Sequence, residues 1–268
     1  MGSTGSGPAR MSTANRVVLP DPCRRGDHVR MDRDRSVRVL AEGDTDSVQA
    51  IERVLAAARP ELVITSVVAA GPPASALLND VGPDDLVVVG ASSHEGAAAF
   101  WLGSTPRHLV RHSPCPVAVI RGPASRGRPL RVVVGVDGSR SSDRAVEWAA
   151  DEADRLHVDL VVVHAWWYMY VTTDNSPARD LTRIDGACVL ERSVELARER
   201  CGVEVTGELV EFSPVPGILQ SVTDGDLLVL GSRGRGAVIS GLFGSTVNSV
   251  LEQAVVPVVV VPLPAEHD

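Results

Sequence analysis

Three glycines and two hydroxyl residues near the end of the chain have the spacing of a phosphate-binding loop. Gly231 and Gly234 follow an apolar run, and nine residues separate Gly234 from Gly244, which directly precedes Ser245 and Thr246. Glycine lets the backbone approach a ligand closely, and the first N–H groups of a helix attract anions at the positive end of its dipole. The pattern G-x2-G-x9-G-[ST] between a strand and a helix therefore predicts a cradle for phosphate groups.

Side chains in the same segment could strengthen such a cradle. The hydroxyls of Ser245 and Thr246 can donate hydrogen bonds, and the guanidinium groups of Arg233 and Arg235 can pair with phosphate oxygens. The two arginines could equally be solvated surface residues, because an exposed arginine needs no function. The residues alone leave both interpretations open.

The composition excludes several other chemistries. All 26 basic residues are arginine, so the lysine of a P-loop and a lysine Schiff base are both absent. A formal net charge of -8 argues against a surface that neutralises nucleic-acid phosphates. The four cysteines show no Cys-x2-Cys spacing and no close histidine pair to complete a zinc site, so we predict no metal site.

No segment has the length of a membrane span. The chain contains no run of about 18 unbroken apolar residues, and its first ten residues lack the apolar core of a signal peptide. We therefore expect a cytoplasmic protein with neither a membrane nor a nucleic acid as partner.

The chain contains one long internal repeat. The segment Asp85–Gly90 recurs as Asp226–Gly231, and the same offset of 141 residues pairs Gly103-Ser104-Thr105 with Gly244-Ser245-Thr246. This period is far longer than the roughly 20 to 50 residues of solenoid repeats. The repeat therefore predicts a duplicated domain, with a boundary in the Pro- and Gly-containing stretch near residues 122–129.

Strand and helix patterns alternate along the second copy. A β-branched run at 130–136 predicts a strand buried on both faces, and Ser141 and Ser142 offer N-cap oxygens for the helix after it. Further strands are predicted at 159–165, 203–210, 226–230 and 255–261, and helices at 188–200, from Pro216 and from Ser245. This alternation predicts a parallel α/β sheet with helices on both faces, which binds ligands at the carboxyl ends of its strands.

These motifs, in this order, resemble the ATP-binding universal stress proteins. Besides the glycine loop, the resemblance rests on Gly135-Val-Asp-Gly-Ser139 after the first strand, His164-Ala165 at the end of the second and Val256-Pro-Val258 before the last. It implies an α/β fold of two tandem Rossmann-like, adenine-nucleotide alpha-hydrolase-like domains. Each would be a parallel five-stranded sheet of order 3-2-1-4-5, and the first would be incomplete. We expect an atypical segment at 1–46, a degenerate domain at 47–122, a linker at 123–129 and a complete domain at 130–264.

The resemblance also implies which residues hold the cofactor, ATP, with or without Mg2+. Asp137 would bind the ribose hydroxyls beside the backbone of Gly135 and Val136, and the main chain of Ala165 would meet adenine. The phosphates would be held by Gly231, Ser232, Arg233, Gly234, Arg235, Gly236, Gly244, Ser245 and Thr246. From the residues alone, Asp137 could instead be a turn residue that satisfies backbone amides. No catalytic residue is predicted.

The first copy departs from this pattern in two places. Ser93 stands where the second copy has Gly234, and a Cβ there makes positive φ costly and crowds a phosphate. The segment 131–139 projects, at the same offset, to before residue 1, so the first copy has no counterpart of Asp137. We expect either a substitute strand from within 1–46 or a truncated gene start, and no ATP held in the family manner.

Three functions are compatible with these residues. The first is an ATP-binding regulatory or signalling module in a stress response, and the second is a slow ATPase. The third is a nucleotide-independent scaffold that pairs through the strands 117–120 and 256–261, either within the chain as a pseudo-dimer or between chains as a homodimer. Hydrolysis needs a general base, and none is evident, so we favour binding over catalysis.

Overall fold

The architecture comes from a computed structural model, which describes residues 16–20, 36–42, 63–69, 73–79, 81–91, 102–120, 129–168, 177–234 and 244–263. The strands are β1 (Arg16–Pro20), β2 (Ser36–Glu42), β3 (Val63–Ala69), β4 (Asp85–Gly90), β5 (Val117–Ile120), β6 (Arg131–Val136), β7 (Asp159–Trp166), β8 (Val205–Glu211), β9 (Leu227–Gly231) and β10 (Val258–Val261). The helices are α1 (Pro73–Leu78), α2 (Ser104–His112), α3 (Arg140–Leu156), α4 (Pro177–Arg198), α5 (Pro214–Gln220) and α6 (Ser245–Gln253). None of these described helices is both long and apolar enough to cross a bilayer.

The second half is a fully parallel sheet. Its strands lie in the order β8-β7-β6-β9-β10, which is 3-2-1-4-5 when numbered within the half, as predicted. Parallel neighbours require crossover connections, and α3 to α6 provide them. The α/β fold class is therefore confirmed.

The first half has the same strand order, but one of its strands is reversed. It reads β3-β2-β1-β4-β5, and β1 runs antiparallel to both β2 and β4. The expectation of a wholly parallel first sheet is therefore wrong, whereas the expected substitute strand from within 1–46 is present. An antiparallel neighbour needs no crossover helix. The sequence between β1 and β2 is rich in arginine and aspartate and has only three apolar residues.

The two halves share one sheet. Strand β5 pairs antiparallel with β10, with Val258 opposite Val119 and Val260 opposite Val117. The described strands thereby form a continuous ten-stranded sheet. The last strand of each half is covered by that of the other, which removes two apolar sheet edges from solvent.

Alternate residues of the strands face two separate cores. One core, on the side of α2, α5 and α6, contains Val133, Leu228 and Leu230 together with Leu109 of the first half. The other lies under α3 and α4 and contains Val132, Val134 and Val162 with the alanines of α3. Because helices cover both faces of this sheet, successive Val and Leu residues of a strand are buried in one core or the other, and few aromatic residues are used.

Several predicted boundaries shift in the structure. Helix α4 begins at Pro177 rather than at 188, and β10 begins at Val258 rather than at 255. The N-cap of α3 is Ser139, whose hydroxyl accepts from the amide of Ser142, rather than Ser141 or Ser142. Each of these elements is nevertheless present and in the predicted order.

Candidate functional site

Two neighbouring parallel strands end at one edge of the second sheet. Gly135 of β6 pairs with Leu230 of β9, so the turns that follow these strands lie next to each other. The chain leaves β6 towards β7 on one side and leaves β9 towards β10 on the other. Such a reversal of strand order opens a crevice beyond the strand ends, which is where ligands bind in open α/β sheets.

The turn after β6 places a carboxylate in this crevice. Oδ1 of Asp137 accepts a hydrogen bond from the amide of Ser139 at 3.0 Å. Gly138 has a φ of 77°, a conformation that favours glycine. Asp137 is therefore a turn residue, and the hydrogen bond fixes the direction in which its second oxygen points.

The second oxygen of this carboxylate faces the glycine loop. A Cβ built on Gly234 would lie 2.7 Å from Oδ2 of Asp137, closer than real Cβ atoms come. The turn after β6 and the loop after β9 thus meet at Gly234 and Asp137. Any side chain at 234 would have to displace the carboxylate.

Serines at the start of α3 hold the glycine loop in place. The hydroxyl of Ser141, which is buried, accepts from the amide of Arg233 at 3.2 Å. The hydroxyl of Ser139 donates to the carbonyl of Arg233 at 3.5 Å. Gly231 permits this contact, because a Cβ there would lie 2.5 Å from the backbone oxygen of Ser141.

Ser232 points away from the crevice. Its amide donates to the carbonyl of Val261 at 2.9 Å, and its buried hydroxyl accepts from the amide of Leu263 at 3.4 Å. The side chain of Ser232 therefore anchors the loop to β10. Only its backbone is directed at the helix that follows, since its carbonyl oxygen lies 3.8 Å from a Cβ built on Gly244.

The first turn of α6 completes the crevice. A Cβ built on Gly244, the N-cap, would lie 3.9 Å from the amide nitrogen of Gly234, and no side chain of the described residues caps this helix end. Ser245 is exposed and Thr246 is half-buried. The uncapped N–H groups of the first turn and the backbone of Gly234 together form a site suited to an anion. Arg235 and Gly236, also predicted here, lie outside the described residues.

Gly135 and Ala165 pack against α5, which restricts the size of the side chain at both positions. A Cβ on Gly135 would lie 2.7 Å from Leu230 and 3.1 Å from Ile218, so a larger residue would clash with the core. Ala165 packs its methyl group against Gly217. The pairing of β7 with β6 ends at His164 opposite Val136, so Ala165 extends beyond the end of β6 and its main chain borders the crevice.

A histidine ties the two strand ends together. Nδ1 of His164 lies 2.8 Å from the carbonyl oxygen of Val136. A carbonyl can only accept, so Nδ1 is the donor. Gly186 of α4 packs against the other side of this ring. His164 therefore positions the end of β6, directly before Asp137.

Comparisons with known proteins decide the family. The profile of the universal stress protein family matches residues 27–121 and again 130–262. Universal stress protein Rv2623 of Mycobacterium tuberculosis is 34% identical over 222 residues, which cover 80% of this chain and 73% of the relative. The chain belongs to the universal stress protein family.

Other relatives agree with this assignment. Universal stress protein Rv2005c of Mycobacterium tuberculosis is 38% identical over 184 residues, 66% of this chain and 61% of that protein. The match thus spans less than two thirds of that relative's length. A crystal structure of a universal stress protein from Archaeoglobus fulgidus superposes with a TM-score of 0.53 over 84% of this chain and 82% of that one, at 22% identity, and supports the fold.

Among its described residues, the first domain of this universal stress protein has no carboxylate placed as Asp137 is in the second domain. Because β1 is reversed, Pro20 at its end lies opposite Asp85, at the amino end of β4, far from Gly90. In the part of the chain that the structure describes, the turn that carries Asp137 in the second domain therefore has no counterpart beside Gly90. At the start of α2, the amide of the N-cap residue Gly103 donates to the carbonyl of Ala91 at 2.8 Å.

Sequence reasoning missed the residues that support the site. Besides Ser139 and Ser141, Arg192 of α4 donates to the carbonyl of Gly138 at 3.5 Å and to Asp143 at 2.6 Å. The cluster of serines after Asp137 was a signal for the first two, although it suggested only helix capping. Nothing local identified Arg192, because its contacts cross between two helices.

Proposed function

We propose that the second domain binds ATP in the crevice between the ends of β6 and β9. The approach of Gly234 to Oδ2 of Asp137, where a Cβ would lie 2.7 Å away, is the observation that carries the proposal. It joins the motif expected to hold phosphate to the carboxylate expected to hold ribose, although the two are far apart in the sequence. One nucleotide would contact both the glycine loop and Asp137, because its phosphates are bonded directly to its ribose.

The residues present fit such a ligand. The phosphates would accept hydrogen bonds from the amide of Gly234, from the first turn of α6 and from the hydroxyls of Ser245 and Thr246. Arg233 is exposed at the rim and adds positive charge. The described residues contain no group of three or more His, Cys, Asp or Glu that could hold a metal, so any Mg2+ would arrive on the phosphates.

The nucleoside would lie towards β7. Asp137 would accept hydrogen bonds from the ribose hydroxyls through Oδ2, while Oδ1 keeps the turn closed by accepting from Ser139. The main chain of Ala165, beyond the end of β6, would face the edge of the base. Both contacts use backbone or turn groups that are already fixed, which lowers the entropy lost on binding.

Within this proposal the protein is a regulatory or signalling module of a stress response rather than a fast enzyme. Hydrolysis requires a general base beside an attacking water. Asp137 is the carboxylate that the structure directs at the glycine loop, and its role in the turn argues against a second role as a base. A slow ATPase remains the alternative.

One observation favours a structural role alongside nucleotide binding. Strands β5 and β10, which a scaffold would use for pairing, already pair with each other in this chain. This pairing supports an intramolecular pseudo-dimer over a homodimer formed through the same strands. In a scaffold of this kind, the two domains of one chain would take the place of the two subunits of a homodimer.

Calorimetric titration with ATP, combined with an assay of phosphate release, tests the proposal. We expect the wild type to bind, and Asp137→Ala to bind at least about tenfold more weakly, because a hydrogen bond to a charged group contributes about 1.5–3 kcal/mol. Asp151→Ala is the matched control, since Asp151 lies on α3 but pairs with Arg200 away from the crevice. Absence of binding by the wild type would refute the proposal, and release faster than about 1 s⁻¹ would show an enzyme.

A further inference from the structure

Two histidines lie side by side on α2 of the first domain. His108 and His112 are four residues apart, which places them on one face of the helix. Both are exposed, their ring centroids are 4.3 Å apart, and the ring planes are inclined by 29°. The pair is separate from the crevice of the second domain.

A hydrogen bond determines which nitrogen His112 presents to solvent. Its Nδ1 lies 2.9 Å from the carbonyl oxygen of His108. Because a carbonyl only accepts, Nδ1 carries a proton, and Nε2 keeps the lone pair of the neutral ring. Histidines that bind metals are commonly held in this way, with the second ring nitrogen donating to a carbonyl. The helix therefore orients His112 as a metal ligand would be oriented.

The separation of the rings suits one shared ion. Two imidazole nitrogens bound at 2.0–2.1 Å in a tetrahedral arrangement would lie about 3.3 Å apart. The rings are stacked, with centroids 4.3 Å apart, so the exposed side chain of His108 would have to rotate for a nitrogen of each ring to face one ion. Histidines at positions i and i+4 are also the pair that the H-E-x-x-H helix presents to zinc.

The charges around the pair are partly balanced. Two arginines flank the pair: Arg107 pairs with Glu252 of α6 at 3.1 Å, and Arg111 directly precedes His112. No group of three or more His, Cys, Asp or Glu around one point occurs in the part of the chain that the structure describes, so water would fill the remaining positions. Imidazole ligands favour Cu2+, Ni2+ and Zn2+ over Mg2+ and Ca2+, and Cu2+ binds most tightly of these.

We propose that His108 and His112 form a solvent-open, two-histidine site for a divalent transition-metal ion. The expectation of no metal site rested on the cysteine spacing and on the lack of a close histidine pair beside the cysteines, and it did not consider the H-x3-H spacing of His108 and His112. The second domain has Ser249 and Gln253 at the corresponding positions, so the site belongs to the first domain alone.

Titration of the full chain with Cu2+ alone, followed by calorimetry and by electron paramagnetic resonance, tests this site. We expect His108→Gln and His112→Gln each to lower the affinity at least about tenfold, because the second imidazole binds intramolecularly. The resonance spectrum should show two nitrogen ligands in the wild type and one in each variant. Glutamine is a good helix former, so α2 should persist, as circular dichroism would check.

A transposition provides the matched control. Arg107→His combined with His108→Arg keeps the composition but separates the imidazoles by five residues, off a common face, and should bind as weakly as the single variants. His157→Asn removes an exposed histidine at the end of α3 and should change nothing. Equal Cu2+ affinity in the wild type and the transposed variant, or loss of affinity in His157→Asn instead, would overturn the proposal. Asp137→Ala should bind Cu2+ normally, which keeps this test independent of ATP binding.

Discussion

At the scale of single residues, the glycines of the crevice have two different roles. Gly231 makes room for the protein's own backbone, because Ser141 fills the space where a side chain would lie. Gly234 instead makes room beside Asp137, where the proposed ligand would sit. The sequence predicted both positions from spacing alone, but it could not distinguish these roles, since the contacts join residues from opposite ends of the domain.

Gly231→Ala should destabilise the second domain. The new methyl group would lie 2.5 Å from the backbone oxygen of Ser141, and backbone cannot rotate away as a side chain can, so we expect a loss of about 1–3 kcal/mol. The control is Gly90→Ala at the corresponding position of the first domain, where no atom of the described residues lies within 4 Å of the new group. Urea unfolding measures both, and equal midpoints for the two variants would contradict this account.

At the scale of elements, a buried ion pair aligns the amino ends of β6 and β9. Arg131 donates to both oxygens of Asp226, at 3.2 and 2.7 Å, and the carboxylate is fully buried. Burial raises the pKa of Asp226, but the hydrogen bonds from Arg131 and Thr223 together lower the pKa by more than burial raises it. The pKa of this carboxyl therefore lies below its ordinary value. The sequence predicted Asp226 as part of the strand, whereas it precedes β9 and binds the turn.

Arg131→Met should leave this carboxylate buried without its partner. We expect a loss of about 2 kcal/mol or more at neutral pH, compared with less than about 0.5 kcal/mol for Arg144→Met, which removes an exposed pair with Glu147. The folded pKa of Asp226 is below its unfolded value of 3.8, so the pair contributes fully above 3.8 and loses its contribution as the pH falls through the folded pKa. The difference in unfolding free energy between the wild type and Arg131→Met should therefore become smaller as the pH is lowered from 7 to below 3.8, and a constant gap would contradict this origin.

Helix α4 shows why some boundaries could not be predicted. Its first three turns expose Leu181 and Ile184 and bury only Gly186, so no apolar stripe marks the helix start. What fixes this part is tertiary, since Arg179 pairs with Glu211 at 2.7 Å and lies over the ring of Trp166. Strong periodicity, as in the alanines of α3, was predicted correctly because those residues face the core.

At the scale of the whole molecule, the two domains form one sheet with an internal junction. The strand order of each half followed from the repeat and the resemblance. The reversal of β1 did not, because a short apolar run such as Arg16–Pro20 contains no information on its direction. This reversal makes the halves unequal, since it moves the end of the central strand away from the glycine loop of the first domain.

Hydrogen exchange should reveal the junction. Amides of β5 and β10 lie in the middle of a ten-stranded sheet, so we expect them to exchange much more slowly than those of the outer strand β8. The residues to compare are Val258 and Val119 with Thr206. If β10 exchanged as fast as β8, the two domains would not share a sheet in solution.

The measurement that tests the central claim most directly is ATP affinity in two matched variants. Gly234→Glu places a negative side chain against Asp137 in the proposed phosphate site, whereas Ser93→Glu places the same side chain at the corresponding position of the first domain. Calorimetry should show at least about a 100-fold loss, or about 2.7 kcal/mol, for Gly234→Glu and no change for Ser93→Glu. Loss of binding in Ser93→Glu with full binding in Gly234→Glu would place the nucleotide in the first domain and contradict the account.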